Sequence, residues 1–178
     1  MERLAIDPMD LVLKPCALWG KQWLVLTAGD YEAKQYNAMT VAWGSIGMMW
    51  NKPFAQVVVR PGRHTFGFME KHETFTLCAF DSSFRKALNI LGSTSGRDTD
   101  KIADAGLTPM PASMVQAPVF KEAELALELK KIYWNDLNPG NFLDASIDKN
   151  YPLKDYHRIF FGEIMAASAS HHFLERQR

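Results

Sequence analysis

Three polar clusters hold the residue types from which a binding site could be built. Residues 36–44 (Y-N-A-M-T-V-A-W-G) offer an amide, a hydroxyl and a large aromatic around backbone that must leave a strand near Gly44 and Gly47. Residues 60–65 (R-P-G-R-H-T) place two guanidinium groups on either side of a tight turn that opens into a helix. Arginine forks, free backbone amides and a helix start together favour a bound phosphate or carboxylate. Residues 93–101 (S-T-S-G-R-D-T-D-K) are again hydroxyl-rich and basic just before a helix. Each cluster also has a plain reading. Asn, Thr and Gly make ordinary turns, and Trp43 could simply be core. Arg60 and Arg63 could pair at the surface with Glu70 or Glu73. The third cluster could be a solvated loop ending in a helix cap. By pattern alone the three point to a small anionic ligand and no further.

Other chemistries fall away. There is no G-x-G-x-x-G after a strand, no G-x-x-x-x-G-K-[ST] and no H-E-x-x-H. Residues 92–96 (G-S-T-S-G) resemble a nucleophile elbow only until the centre, which is Thr94 and not serine. His171 and His172 with Glu175 lack a third ligand at metal spacing and read as a solvated tail, so no metal is expected. Lys+Arg and Asp+Glu each number 20, leaving a formal net charge of +0. A chain without a global field does not gather nucleic acid or an anionic membrane, so any anion it binds is held locally.

Hydrophobic residues make up 47% of the 178 and charged residues 22%, the make-up of a folded globular domain. One domain spanning residues 1–178 is expected, since no repeat and no Pro/Gly/Ser-rich linker divides the chain. Cys16 and Cys78 form no C-x-x-C or zinc spacing and read as reduced thiols. The N-terminal stretch mixes acidic with apolar residues and is not a signal peptide. No apolar run reaches membrane-spanning length. A soluble, cytoplasmic protein is the expectation.

The elements that must position the clusters read mostly as strands. Residues 22–28, 38–43 and 55–60 are short apolar runs of strand formers, and residues 73–80 alternate. Residues 121–134 fit a helix face and a strand equally well; the β-prone I-Y-W that follows decides for a strand. Residues 156–166 read as a long strand in which Gly162 marks a bulge. Thr65 is expected to cap a helix over 66–72, and Asp81 or Ser82 one over 84–91. A third helix is expected from Asp98 or Thr99 to Gly106. Strands and helices do not alternate as a doubly wound sheet requires. The fold class is therefore mainly β: an antiparallel, Greek-key-like barrel, closed or partly closed, with a few short α-helices.

The order of the clusters carries more than any one of them. N-x-M-T-x-x-W-G at 37–44, W-N-K-P at 50–53, V-R-P-x-R-x-T at 59–65 and S-G-R-D-x-D-K at 95–101 resemble the flavin reductase-like family, which includes flavoredoxin. Residues 157–164 are similar to its late barrel strand. The resemblance implies an FMN-binding split β-barrel that works as a homodimer, with FMN near the subunit interface. It carries Asn37, Met39, Thr40, Val41, Ala42 and Trp43 over as flavin-lining. It does the same for Arg60, Pro61, Arg63 and Thr65, and for Ser95, Gly96 and Lys101. Where the family often has a serine before the tryptophan, this chain has Ala42, which removes one hydroxyl contact.

The resemblance also implies roles. Arg60 or Arg63, with the hydroxyls of residues 93–95, is expected on the FMN phosphate, and Trp43 at the ring edge or pocket mouth. Lys101 is expected near the pyrimidine end as a catalytic cation, with Thr65 as the second catalytic candidate. The expected activity is NAD(P)H-dependent flavin reduction. A flavoredoxin-like carrier that holds FMN tightly and a cofactor-free dimeric binding module are the alternatives. Residues 134–156 form a long segment, either a loop over the pocket or part of a dimer contact.

Overall fold

The computed structural model describes residues 2–174. A short strand β1 (Leu4–Ile6) and a one-turn helix α1 (Pro15–Ala17) precede two hairpins. These are β2 (Leu24–Asp30) with β3 (Gln35–Val41), and β4 (Gly44–Met49) with β5 (Lys52–Val59). Helix α2 (His64–Lys71), strand β6 (Thr74–Ala79), helix α3 (Arg85–Ser93) and helix α4 (Lys101–Asp104) follow. A two-stranded ribbon, β7 (Pro109–Met110) and β8 (Val119–Phe120), leads into the long strands β9 (Leu125–Asp136) and β10 (Arg158–Ala169).

The main sheet runs β3-β2-β6-β9-β10-β5-β4, with β1 paired to β10, and its pairings are antiparallel. β3 and β4 are the two edges of this path, yet only Ala42 and Trp43 separate them in the chain. The sheet is therefore rolled until its edges meet at one end, and it does not close along their length. Gly44 stands at that meeting point. A β-carbon there would lie 2.3 Å from the carbonyl oxygen of Gln56 and 2.5 Å from the Trp19 ring, so the junction has room only for glycine.

Alternation along the strands builds two cores. Leu24, Leu26 and Ala28 of β2 face the barrel interior with Val57, Val59, Phe75, Leu77, Leu127 and Phe160. Val25, on the opposite face, packs with Ala38, Cys78 and Ala126 beneath Leu88 and Leu91 of α3. β2 is buried on both faces, which explains its continuous apolar run. Tyr36 and Ala38 of β3 pack on the α3 side, while Met39 and Val41 pack on the barrel interior. The edge strand thus passes between two helices, α2 and α3.

Most of the expected elements form, with shifted bounds. The ambiguous stretch is the strand β9, and β10 shows a register shift between Phe161 and Gly162, where the bulge was expected. β4 was not expected, because its glycines mask it; pairing with β5 holds it. Thr65 is not a helix cap. Arg63 occupies that position without a side-chain bond, and Thr65 lies in the first turn, held by a tertiary contact. The helix expected over 84–91 is α3, reached through a turn that Asp81 caps by accepting from Ser83 N. The third helix is a single turn, α4, capped by Asp100 accepting from the Ala103 amide.

Candidate functional site

Three of the sequence clusters meet beside the edge strand. Asn37 of β3 is buried, and its Nδ2 donates to Thr65 Oγ1 of α2 at 2.6 Å. Gly96, in the loop after α3, presses on the same amide; a β-carbon there would lie 2.1 Å from Asn37 Oδ1. Two arginines tie this loop to the turn before α2. Arg63 reaches the carbonyl of Gly92 at 3.3 Å and Arg97 reaches that of Gly62 at 3.5 Å. These are long contacts that leave most guanidinium donors free for another partner.

The convergence lines a groove with two adjoining chambers that share Lys34, Tyr36, Asn37, Gly96 and Arg97. The larger, about 930 Å³, extends along Asp98, Asp100 and Lys101 toward Tyr31. The smaller, about 670 Å³, runs along α2 past Pro61, Arg63, His64, Phe66, Phe68 and Lys71. Volumes of this order suit a cofactor or drug-sized ligand.

Lys101 is buried, and its ammonium donates to the carbonyls of Leu91 and Thr94, both at 3.0 Å. It caps the C-terminal end of α3, where helix carbonyls lack partners and a cation is favoured. Burial, and next the Arg63 guanidinium, push its pKa down to about 8. His64 is also lowered, first by burial and then by Arg97 and Lys101. Burial is the main cause of both shifts, and the neighbouring cations add to it.

Other candidates do not face this groove. Thr40 donates to the Leu88 carbonyl at 2.5 Å and anchors α3 on β3. Met39 and Val41 turn into the barrel packing, so a ligand at these positions would meet the edge-strand backbone. Ala42 is half-buried at the junction. Trp43 is 49% exposed and packs against His157 at 5.3 Å. Arg60 pairs with Asp155 at 2.8 Å, donates to the Asn150 carbonyl and lies over the Tyr151 ring. It therefore fastens the long segment before β10 and pairs with neither Glu70 nor Glu73. Tyr151 Oη and His157 Nδ1 lie 2.8 Å apart in the same knot, and burial, then Arg60, pushes His157 down to about 4. Ser95 precedes the groove-lining Gly96, and its Oγ accepts from the Arg97 amide. His171 and His172 sit in a one-turn helix, and Glu175 lies outside the described residues.

Sequence reasoning placed Tyr36 in the first cluster, but missed Lys34 and Lys71, which belong to no motif, and Tyr151 and His157 in and after the segment before β10. It passed over His64 and Arg97 although both lie inside the quoted motifs.

The open rolled sheet and the groove beside its edge strand define a split-barrel protein of the flavin reductase-like class. The chain belongs to the flavin reductase like domain family, whose model matches residues 20–176. Solved structures share the fold. An FMN-binding domain of a flavin reductases-like enzyme from Shewanella baltica OS155 is 19% identical with a TM-score of 0.67, covering 94% of this chain and 77% of that one. Flavoredoxin of Desulfovibrio vulgaris (Miyazaki F) is 23% identical with a TM-score of 0.65, covering 89% and 74%. An NADH:FAD oxidoreductase of Streptomyces globisporus C-1027, in complex with NAD and FAD fragments, is 17% identical with a TM-score of 0.63, covering 84% and 74%. No curated protein matches the sequence.

Proposed function

We propose that this chain is an FMN-dependent oxidoreductase of the flavin reductase type, taking electrons from NADH or NADPH. The observation that carries the reading is the convergence of Asn37, Thr65 and Gly96 at a groove whose smaller chamber is lined by Lys34, Arg63, Lys71 and Arg97 and by no acidic residue. The donor set fits FMN. A phosphate suits Arg63, the Ser95 hydroxyl and the amides of the loop around Gly96, while Tyr36 and the edge of β3 offer a flat surface and backbone groups. When bound, FMN supplies the hydride and electron transfer.

The chain's own residues bind and orient. Thr65 fixes the Asn37 amide, which holds the Gly96 loop at the height of the edge strand. Lys101 adds a buried positive charge behind that loop, favouring negative charge that develops in the groove, an effect worth a few kcal/mol where water is excluded. Arg60 fastens the segment before β10 through Asp155 and Asn150, beside His157, which packs on Trp43, away from the groove. Exposed Met48, Trp50, Tyr133 and Trp134 support a homodimer through the β4–β5 hairpin and β9. The two free cysteines support a reducing, cytoplasmic setting.

The test is the visible spectrum of the purified chain with FMN, followed by NADH or NADPH. Flavin bands that co-elute with protein and bleach with nicotinamide establish the reductase. Bands that bleach only with dithionite replace it with a flavoredoxin-like carrier. An absence of bands, and of tryptophan quenching on FMN titration, overturns both.

A further inference from the structure

The smaller chamber is longer, and more positive, than one phosphate requires. Helix α2 forms one wall, with His64 at its first residue and Lys71 at its last. Seven residues at 1.5 Å each set these ends about 10 Å apart. Lys34 lines the same chamber three residues before Asn37, which is about 10 Å of extended chain. The chamber's cations are therefore spread along it, with Arg63 just before the start of α2, Lys71 at its end, and Arg97 and Lys34 lining the same space. None of the chamber's lining residues is acidic. Among the described residues, none of these four cations forms an ion pair with a carboxylate. Tyr36, Phe66 and Phe68 also line the chamber and offer it aromatic surface, and Gly67 adds no side chain.

FMN carries one phosphate, for which Arg63 and the amides around Gly96 are the partners proposed above. Arg97 and the two lysines are left unmatched. Cations spread along a chamber with aromatic surface fit a nucleoside that carries phosphate on both sides of its ribose. We infer that the smaller chamber takes the adenosine end of a phosphorylated nicotinamide dinucleotide, with its 2′-phosphate on Lys34 and Lys71 and its pyrophosphate toward Arg97. The electron donor is then NADPH in preference to NADH. The identity of the donor rests on the proposed function; the cationic chamber does not.

The probes are adenosine 2′,5′-bisphosphate, its 3′,5′ isomer and AMP, titrated calorimetrically into the full chain with and without FMN. The 2′,5′ isomer should bind roughly tenfold more tightly than AMP, with an advantage that shrinks as salt rises. The double variant K34A/K71A should lose that advantage while keeping its circular dichroism and its FMN absorbance. Equal affinity for AMP and the 2′,5′ isomer overturns the inference. So does a preference for the 3′,5′ isomer, or a preference that survives K34A/K71A. Failure of FMN to bind removes the proposed function, and the FMN-free titration still reads the chamber.

Discussion

A β-carbon on Gly96 would lie 2.1 Å from Oδ1 of Asn37, so the loop after α3 can rest on the edge-strand amide only as glycine. The atom it would meet belongs to a buried side chain already held by Thr65, which cannot swing aside. Gly96→Ala should therefore push the loop off β3. We expect FMN affinity to fall by tenfold or more, for an overpacking cost of about 1–3 kcal/mol, with the barrel melting cooperatively as before. Fluorescence titration with FMN checks the first outcome and thermal denaturation the second.

Lys101 donates to two carbonyls at the end of α3, so Lys101→Met leaves both without their donor. The variant should lose about 1–3 kcal/mol in urea denaturation at neutral pH. It should also reduce bound flavin more slowly in stopped-flow mixing with nicotinamide, by more than it weakens FMN binding. The pH dependence has a definite sign. The folded pKa is about 8 against an ordinary value of 10.5, so between these values the unfolded chain binds more protons. Within that window the stability of the parent should rise with pH relative to Lys101→Met, and below it the difference should be flat.

His157 titrates in the opposite region. Its folded pKa of about 4 against 6.5 means that the unfolded chain takes up the extra proton as pH falls from 6.5 to 4. Stability should drop across that interval, by up to about 3 kcal/mol from this group. His157→Phe should flatten the slope. Trp43, which packs on the imidazole, supplies the fluorescence that follows the change.

Arg60 holds the long segment through Asp155, Asn150 and Tyr151 and does not face the groove. Arg60→Ala should expose residues 137–157 to limited proteolysis while FMN affinity changes less than twofold, as expected for a residue that makes no phosphate contact. Arg63→Ala should do the reverse. Loss of FMN in the Arg60 variant alone would return the phosphate role to Arg60.

The part of the site written in contiguous strings was legible, because each string sets its polar residues side by side in the chain. N-x-M-T, R-P-x-R-x-T and S-G-R-D-x-D-K do meet, at Asn37, Thr65 and Gly96. The direction of individual side chains was not legible. Arg60 and Arg63 read alike until tertiary packing sends one to the segment before β10 and leaves the other in the groove. Thr65 read as a cap because its type and position suit one, but the helix begins two residues earlier, at His64, and the hydroxyl serves Asn37. Lys34 and Lys71 are two of many lysines, and only the packing of α2 on β3 brings them to one chamber. β4 escaped notice because G-S-I-G is poor in strand formers, and its partner β5 compensates.

Cys78 is fully buried, and burial pushes its thiol up to about 12, whereas Cys16 is exposed. A maleimide at neutral pH should therefore modify one thiol in the folded protein and two after denaturation, counted by mass spectrometry.

β10 is the last strand of the sheet in chain order but lies in its interior, between β9 and β5. Without it the sheet is two fragments, β3-β2-β6-β9 and β5-β4, with no hydrogen-bonded contact between them. During synthesis both fragments must wait for β10 to leave the ribosome, each exposing an edge that β10 later covers. The nascent chain thus has no stable intermediate barrel to fall into. A frameshift or stop codon anywhere before residue 158 should yield a product that is aggregated or degraded, and not a shortened protein with partial activity.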